Sequence, residues 1–330
     1  MMRKTFFCID SHACGNPVRV VAGGGPILPH LPIADRRALF LRDHDWIRTA
    51  LMFEPRGHDI MSGAIFYPPW REDCDVAVLF IEVSGCLPMC GAGTIGLSTV
   101  LIEEGLVTPR VPGILSLETP AGRVDVRYEM EGDRVASVRL FNVPSYLHAR
   151  DVVAEVEGLG PLSVDIAYGG NFYAVVEPQA HWPGLSGAAE TVSLSQRLLC
   201  ALQGVIEPVH PENPDIRGLH HVIWCDAPRA GGDGRGAVFY GDRAIDRSPG
   251  GTGTFARMAQ LHGRGRLAVG ASWRNESPIG TIFEGRIEEA VRIGPFAGIR
   301  PSLGAWARIT GHNTIFVDDR DPLHHGFQIA

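Results

Sequence analysis

The sequence predicts an α/β (α+β) protein built from two related lobes. Its 330 residues, 45% of them hydrophobic and 20% charged, are enough for two core-bearing lobes. Strand patterns alternate with helical patterns along the chain. One unit occurs twice, because LPMCGAGTIGLSTVLIEEGLV from Leu87 aligns without gaps with RSPGGTGTFARMAQLHGRGRL from Arg247, 160 residues later. This duplication predicts pseudo-twofold symmetry and a cleft between two glycine-rich helix starts.

The first half is expected to begin with two strands, KTFFCID and NPVRVVA, joined by SHACG. Residues 33–52 carry one helical pattern, with apolar side chains between charges. The stretches SGAIFYPP and CDVAVLFIEV indicate strands, and the second is apolar enough to be central in a sheet. A helix follows over GTIGLSTVLIEEGLV, and Gly105 is a suitable residue to end it.

The second half repeats this alternation of elements. VDIAYGGNFYAVVEP predicts a strand hairpin, and SLSQRLLCALQGVI predicts an amphipathic helix that begins at its serine. LHHVIWC and GAVFYG indicate strands, and the glycine-rich segment DAPRAGGDGRG between them is expected to be a mobile surface loop. Another helix is predicted over GTFARMAQLHGRGRL, and strands over most of the remainder.

The charge balance narrows the class of partner. A net charge of −7 and a pI near 6.0 argue against a nucleic-acid partner, which favours a basic face. No apolar run reaches the roughly 18 residues that a membrane helix needs. The apolar stretch at the start of the chain breaks at Asp10, too early for the core of a signal peptide. We therefore expect a cytoplasmic protein with a small-molecule substrate and neither a nucleic-acid nor a membrane partner.

Cysteine and lysine usage limits the cofactors. Seven cysteines are an odd number in a long chain, so reduced thiols are expected rather than a disulfide framework. Cys86 and Cys90 have no second Cys/His pair at zinc-finger spacing, so no metal site is predicted. Lys4 is the only lysine, and its place on the first strand suits a Schiff base with pyridoxal phosphate poorly. No cofactor is therefore expected.

The duplicated loops point to a site for a carboxylate. A helix N-terminus presents unpaired N–H groups and about half a positive charge, and glycines let an anion come close. The same field lowers the pKa of a cysteine at the helix start, where Cys90 stands. The stretch thus offers an anion hole and a base together.

Two other interpretations of this stretch remain open. GAGTIG, residues 91–96, fits the dinucleotide fingerprint of a nicotinamide-dependent dehydrogenase, with Glu118 at about the distance of a ribose-binding acid. However, the glycine run follows its strand only after SGCLPM, whereas a dinucleotide turn is tight, and the second copy lacks the third glycine. Cys90 could also be a buried structural thiol.

The chain resembles the proline racemase superfamily over essentially its whole length. The family has a Met-Cys-Gly-His-Gly-Thr loop and an Asp-x-Ser-Pro-Cys-Gly-Thr-Gly-Thr loop, which correspond to MCGAGT (Met89 to Thr94) and DRSPGGTGT (Asp246 to Thr254). Five further stretches are most similar to its 4-hydroxyproline 2-epimerase branch: CGNPVRVVAGGGP, FEPRGHDIMSGAIFYPP, GGNFYAVV, HPENPDIRGL and NTIFVDDRDP.

This resemblance implies a fold and a division of the chain. The fold is that of diaminopimelate epimerase, with two pseudo-symmetric lobes, each a curled mixed sheet around a central helix, and chemistry in the cleft. One lobe comprises residues 1–140 plus 300–330 and carries the Cys90 loop. The other comprises residues 141–299 and carries the loop from Asp246 to Thr254. The resemblance also implies a monomer or a homodimer.

The resemblance further implies roles for individual residues. Family racemases use two cysteines on opposite faces of the α-carbon, and Cys90 matches the first of them as proton acceptor. Further positions match substrate-binding residues: Gly91, Ala92, Gly251 and Thr252 in the carboxylate cradle, Gly93 beside them in the first loop, Asp246 on the ring nitrogen, Tyr240 packing on the substrate and His221 facing its hydroxyl.

Two positions depart from the family pattern. Gly250 stands where the second cysteine belongs, and Ala92 stands where the first loop has histidine. Three outcomes follow from the missing thiol. The chain could still epimerise 4-hydroxyproline if water or another group serves the second face. It could instead dehydrate trans-3-hydroxy-L-proline, a reaction that needs no second base for inversion. It could also bind imino acids without turnover.

Overall fold

The computed structural model describes residues 3–182, 184–185 and 187–329, and the chain forms two compact units. Unit 1 comprises Met1–Leu140 and Ala305–Ala330, and unit 2 comprises Phe141–Gly304. The lobes expected from the sequence place the last boundary at residue 300 instead of 305. Within the described residues, no helix is both long and apolar enough to cross a membrane.

The elements follow one another in a strand-rich order. The strands are β1 (Arg3–Ala13), β2 (Asn16–Gly23), β3 (Ser62–Tyr67), β4 (Val76–Glu82), β5 (Gly85–Leu87), β6 (Ile114–Thr119), β7 (Gly122–Glu131), β8 (Arg134–Phe141), β9 (Ser145–Val156), β10 (Gly160–Tyr168), β11 (Phe172–Val176), β12 (Val209–His210), β13 (Asn213–Arg217), β14 (His221–Asp226), β15 (Gly234–Tyr240), β16 (Ala244–Ile245), β17 (Ser272–Glu276), β18 (Ile282–Ile293), β19 (Phe296–Ala305) and β20 (Ala307–Asp318). The helices are α1 (Ile33–Asp43), α2 (Asp45–Met52), α3 (Gly91–Glu103), α4 (Ala188–Leu202) and α5 (Gly251–Gly263).

Unit 1 wraps a mixed sheet around α3. β1 pairs antiparallel with β2 and β20, and β2 pairs parallel with β3. β4 lies antiparallel to β3 and β5 and parallel to β6, and every residue of β4 is buried, as its apolar sequence predicted. α3 packs against β1, β2, β3 and β20. Its residues from Gly91 to Leu101 are all buried, so α3 is the central helix of this unit.

Unit 2 wraps its strands around α5. The pairings β9–β10–β11–β14–β15–β17–β18–β19–β9 close into a ring of eight strands. The pairs β11–β14 and β15–β17 are parallel and the other pairs are antiparallel, so this sheet is mixed as well. α5 packs against β9, β10, β11 and β18 and supplies buried Phe255, Ala256 and Met258.

The duplication extends well beyond the two glycine loops. Six successive pairings in unit 1 (β1–β2, β2–β3, β3–β4, β4–β5, β4–β6, β6–β7) have the same directions as six in unit 2 (β10–β11, β11–β14, β14–β15, β15–β16, β15–β17, β17–β18). α3 and α5 each have 13 residues and begin at equivalent glycines, Gly91 and Gly251. The chain therefore repeats one complete supersecondary unit.

Three expectations about element boundaries are wrong. The helical pattern of residues 33–52 is two helices, which break at His44 because Asp45 starts a new first turn and pairs with Arg48. α4 begins at Ala188, five residues before the predicted serine, since Ala188–Glu190 are suited to a first turn. β1 extends to Ala13, because it pairs with β2 and β20 along that whole length.

The segment expected to be a mobile loop is anchored. Residues 227–233 lie between β14 and β15, and the buried carboxylate of Glu276 accepts hydrogen bonds from their backbone. Its donors are the N–H groups of Arg229 and Ala230, both at 2.7 Å, and of Gly232 at 2.6 Å. These hydrogen bonds hold the pKa of Glu276 below its usual value, although burial acts in the opposite direction. A glycine-rich composition does not reveal such a long-range anchor.

Candidate active site

Cys90 caps the buried helix of unit 1. It lies between β5 and α3 in an extended conformation, with φ −135° and ψ 118°. Its Sγ accepts a hydrogen bond from the N–H of Gly93 at 3.1 Å, and its carbonyl accepts from the N–H of Thr94 at 2.9 Å. The thiol therefore lies at the positive end of α3, where a thiolate is stabilised. Cys90 is 5% exposed.

The residues after Cys90 have little room for side chains. A Cβ at Gly93 would lie 2.9 Å from a ring carbon of Phe80 and 3.1 Å from the Cys90 Sγ, so this position requires glycine. Gly91 and Ala92 are buried in the same first turn. The first N–H groups of a helix have no intrahelical acceptor. The backbone N–H groups of this turn, including that of Ala92, are therefore suited to a carboxylate.

A buried carboxylate, that of Glu82, lies directly against the Cys90 thiol. The last residue of β4, Glu82, accepts a hydrogen bond from Cys90 Sγ at its Oε1 over 2.7 Å. Ser62 Oγ donates to the same oxygen at 3.1 Å, and Ser84 Oγ donates to Oε2 at 3.1 Å. Asn16 in turn donates to Ser62 at 3.3 Å. Burial raises the pKa of Glu82, and these three donors to its carboxylate act against that rise.

In unit 2 the equivalent loop is organised by Asp246. Its Oδ1 accepts from the N–H of Ser248 at 2.7 Å and from the Ser248 hydroxyl at 2.8 Å. The N–H of Gly250 donates to that hydroxyl at 3.1 Å. Asp246 also donates its own N–H to the carbonyl of Val238 at 2.8 Å. The aspartate is therefore buried and held in one orientation directly before α5.

Gly250 caps α5 but does not have the conformation of Cys90. Its φ is +78° and its ψ is 111°, a region that L side chains rarely adopt. A Cβ built on it would lie 2.6 Å from Val238 Cγ2 and 3.6 Å from Asp246 Oδ2. The loop is thus fitted to glycine in both its backbone and its surroundings. Cys90 and Gly250 therefore differ in backbone conformation as well as in side chain.

Two hydrogen-bonded side chains and one ring contact connect the start of α5 to His221. Thr252 Oγ1 lies 2.5 Å from the hydroxyl of Tyr173 and accepts from Asn171 Nδ2 at 3.4 Å. The ring of Tyr173 lies 5.0 Å from that of His221, centroid to centroid. Burial, with a smaller effect of His220, lowers the pKa of His221 to about 3, so its imidazole is neutral near pH 7.

The structure brings most of the predicted residues together within their own units. Cys90, Gly91, Ala92 and Gly93 form one turn in unit 1. The unit 2 candidates Asp246, Gly250, Gly251 and Thr252 follow β16 without a break, and Tyr240 on β15 lies opposite Ala244 of that strand. Sequence reasoning missed Glu82 and Tyr173. A lone acid at the end of an otherwise apolar strand was the available signal for Glu82.

The dinucleotide interpretation does not fit the roles of its residues. Glu118 is buried, and its carboxylate accepts from the backbone N–H groups of Ile33, Trp70 and Arg71 at 3.1, 2.6 and 3.1 Å, so it is not placed to bind a ribose. A Cβ on Gly96 would lie 2.8 Å from Val18, so this glycine allows α3 to pack closely on β2.

Glu118 also has a counterpart in unit 2. Glu118 pairs with the second residue of β4, and Glu276 pairs with the second residue of the matching strand β15. Both carboxylates hold loop backbone through N–H groups. The acid therefore belongs to the structural duplication.

Lys4 lies at the surface, with its ammonium 4.5 Å from the ring centre of Trp46. An exposed lysine on β1 is poorly placed to form a buried Schiff base, as the sequence indicated.

The chain is similar to known proteins along its whole length. A family model described as "Proline racemase" matches residues 8–328. The chain is 72% identical over 331 residues to a 4-hydroxyproline 2-epimerase 2 of Rhizobium rhizogenes, covering 99% of this chain and 100% of that protein. It is 58% identical to a 4-hydroxyproline 2-epimerase of Ancylobacter novellus, covering 100% of both.

A solved structure extends the similarity to three dimensions. It is a hydroxyproline epimerase from Agrobacterium vitis with bound trans-4-hydroxy-L-proline, 29% identical to this chain. The TM-score is 0.92, with 99% of this chain and 95% of the other covered. The fold class predicted from the sequence is confirmed.

Proposed function

This chain belongs to the proline racemase family, and from that premise we propose that it is an isomerase of the 4-hydroxyproline 2-epimerase type. The family resemblance predicted from the sequence is confirmed. The proposed reaction inverts the α-carbon of trans-4-hydroxy-L-proline and gives cis-4-hydroxy-D-proline. The observation that carries the proposal is the Cys90 thiol at the N-cap of α3, beside backbone N–H groups suited to a carboxylate.

The first half of the reaction uses the Cys90 loop. The Cys90 thiolate takes the α-proton, so that the C–H bond breaks and an S–H bond forms. The electron pair that remains delocalises into the substrate carboxylate. The N–H groups of Gly91 and Ala92 and the positive end of α3 stabilise the charge that develops there. A positioned base contributes roughly 10²–10⁴-fold to such a step.

The loop of unit 2 supplies the remaining binding groups in this proposal. The backbone N–H groups of Gly251 and Thr252 are assigned to the substrate carboxylate, and Asp246 to the ring nitrogen. His221 is assigned to the substrate hydroxyl, and its neutral imidazole can either accept or donate a hydrogen bond. Tyr240 is assigned a packing role against the ring.

The second face of the α-carbon needs a different proton source from that of the family. Gly250 has no side chain, so we assign this step to water, whose O–H bond breaks as the new C–H bond forms. The hydroxide that remains is neutralised in solvent when the proton taken by Cys90 is released. Water is a weak acid, and the rate of inversion is expected to be low compared with that of a two-thiol enzyme.

Dehydration of trans-3-hydroxy-L-proline is the second candidate, and Gly250 favours it. One base is enough when the carbanion expels a β-hydroxyl, because no proton has to reach the opposite face. The positive φ of Gly250 and the nearness of Val238 both disfavour a side chain at this position. A loop fitted to glycine suits a reaction that needs a single thiol.

Proton NMR in D₂O tests both candidates in one experiment. Purified protein is incubated with trans-4-hydroxy-L-proline, trans-3-hydroxy-L-proline or L-proline, and the α-proton signal is followed. Loss of that signal with a new diastereomer of the 4-hydroxy compound is the expected result. An imine product from the 3-hydroxy compound would establish the dehydratase instead. No exchange with any of the three would refute both candidates and leave imino-acid binding without turnover.

Matched cysteine variants assign the base in this experiment. Cys90→Ala is expected to lower the exchange rate by roughly 10²-fold or more, because the proton acceptor is lost. Cys200→Ala is the control, since Cys200 lies exposed on α4. Equal rates in the two variants would contradict the role of Cys90.

The proposal also includes catalysis without a cofactor, a monomer or homodimer, and a cytoplasmic location.

A further inference from the structure

We propose that Glu82 and Cys90 form a proton-sharing pair, in which Glu82 takes the proton of the Cys90 thiol and passes protons to solvent through Ser84. This inference rests on the proposed function, because it specifies how the thiolate of Cys90 is generated and restored. Glu82 acts through Cys90, so it is a positioning residue and not one that contacts substrate.

The geometry of the pair supports direct proton transfer. Cys90 Sγ and Glu82 Oε1 are 2.7 Å apart, within the range in which a base takes a proton. Both residues are buried, at 5% and 4% exposure, so bulk water does not screen the pair. The N–H of Gly93 also donates to Sγ, at 3.1 Å, and stabilises the thiolate form. The thiol form of Cys90 is therefore stabilised by the carboxylate of Glu82, and its thiolate form by the N–H of Gly93.

The surroundings of Glu82 are mainly polar and neutral. β3 contributes Ser62, and the turn after β4 contributes Ser84. α2 contributes Arg48, whose guanidinium donates to the main-chain carbonyl of Glu82 at 3.0 Å and is paired with Asp45.

From β5 comes Cys86, whose carbonyl accepts from Arg37 of α1 at 2.7 Å. Burial raises the pKa of Cys86 to about 12, so this second thiol stays protonated. The side-chain donors to the Glu82 carboxylate are the hydroxyls of Ser62 and Ser84 and the thiol of Cys90.

Such an acid and thiol share one proton over a range of pH. An isolated buried carboxylate would oppose a thiolate 2.7 Å away, because the two negative charges repel at low dielectric. When the proton moves to the carboxyl oxygen, the pair keeps one negative charge and places it on sulfur. The protons of such a pair come off in two steps that belong to both groups.

The proton balance of one turnover follows from this arrangement. The S–H bond of Cys90 breaks and an O–H bond forms on Glu82, which leaves the thiolate. The thiolate then takes the α-proton of the imino acid, and both members of the pair are protonated. The carboxyl group of Glu82 then turns its O–H towards Ser84, which contacts the other oxygen, Oε2, and is only half-buried. The O–H bond of Glu82 breaks as Ser84 Oγ takes that proton, and Ser84 releases its own hydroxyl proton to solvent. The pair is then back to one proton.

The duplication supplies an independent argument. Glu82 is the last residue of β4, and Tyr240 is the last residue of the matching strand β15. Unit 1, which contains Cys90, has an acid at this strand end. Unit 2, which contains Gly250, has a tyrosine at the equivalent strand end. By contrast, the structural acids Glu118 and Glu276 are present in both halves. Glu82 is therefore not one of the acids that the two halves share at equivalent strand positions, and in unit 2 the carboxylate beside position 250 is that of Asp246 on the following loop.

The test measures how fast iodoacetamide alkylates Cys90 between pH 4 and pH 10, without substrate, with the modified peptide identified by mass spectrometry. The wild-type rate is expected to rise in two steps separated by a plateau. In Glu82→Gln the lower step is expected to disappear, and the rate at pH 6 to fall about ten-fold or more, since no acid accepts the proton. A wild-type profile with a single step, or an unchanged profile in the variant, would overturn the proposal.

Two further variants keep the result interpretable. Glu118→Gln removes another buried carboxylate of unit 1 and is expected to keep both steps, which controls for general loosening. Ser84→Ala removes a donor to the Glu82 carboxylate and is expected to move the lower step to higher pH. If Glu82→Gln fails to fold, this shift in Ser84→Ala tests the proposal instead. A Glu82 that only supported the structure would leave the pH of the lower step unchanged. A two-step profile together with no α-proton exchange would refute the proposed function alone.

Discussion

Replacing Gly250 with alanine is expected to destabilise unit 2 by about 2–5 kcal/mol. The left-handed backbone at φ +78° costs an L residue roughly 1–2 kcal/mol. The added Cβ would lie 2.6 Å from Val238 Cγ2, a distance that forces the neighbour to move. Such overpacking in a core costs about 1–3 kcal/mol, and the two effects add because they have separate causes.

Gly265→Ala is the matched control for the backbone effect alone. Its φ is +72°, and no atom lies within 4 Å of the Cβ it would gain. Only the backbone cost of about 1–2 kcal/mol is therefore expected. The double variant Gly250→Ala with Val238→Ala should cost less than the sum of the single changes, because the smaller side chain removes the clash.

Urea unfolding followed by tryptophan fluorescence compares the variants with the wild type. The reasoning would be refuted if Gly250→Ala cost no more than Gly265→Ala, or if the double variant were simply additive. The same geometry has a functional consequence. A thiol at position 250 would start from a left-handed backbone, unlike Cys90 with its φ of −135°. Gly250→Cys alone is therefore expected to bring no gain in epimerisation.

Two further predictions follow from buried titratable groups. The pKa of His221 is lowered to about 3 in the folded chain, so only the unfolded chain gains a proton as pH falls below 6.5. The free energy of unfolding of the wild type should therefore fall relative to that of His221→Phe between pH 6.5 and 3. At 1.36 kcal/mol per pKa unit, the fall is at most roughly 4–5 kcal/mol. Urea unfolding of both proteins across this range measures the difference, and a constant difference would contradict the prediction. Glu276→Gln should speed tryptic cleavage after Arg229 about ten-fold, since a neutral amide binds the loop N–H groups less strongly than a carboxylate. Glu118→Gln is the control, and timed digestion with equal rates in both variants would argue against the anchor.

The positions of the central helices could be predicted because their signals are local. Glycines before an apolar helical pattern mark the starts of α3 and α5, and Gly105, with its positive φ, lies two residues beyond the end of α3. The candidate cysteine was found in the same way, since the field at a helix start depends only on the helix. Repetition of the motif made the prediction stronger than either copy alone.

The missed features depend on residues far apart in the sequence or on backbone angles. The contact of Ser62 with Glu82 requires the pairing of β3 with β4. The anchoring of residues 227–233 requires β17 to lie beside β15. The positive φ of Gly250 cannot be inferred from its equivalent, because Cys90 is extended in an otherwise matching loop. The duplication in the sequence therefore predicted that the two halves share their order of elements. It did not predict the backbone angles at Gly250.

The conformation of Gly250 also affects how this chain can change over evolutionary time. Two of the four glycine codons differ from a cysteine codon by a single nucleotide, so in the gene an exchange of glycine for cysteine can take one mutation. In the folded protein a single exchange is not enough, because a side chain at position 250 fits only if the backbone there and the side chain of Val238 also change. Each change made alone is expected to lower stability before any catalytic benefit appears. On the proposed function, a second thiol at position 250 would therefore be hard to regain, and the chain would be confined to chemistry that needs a single cysteine.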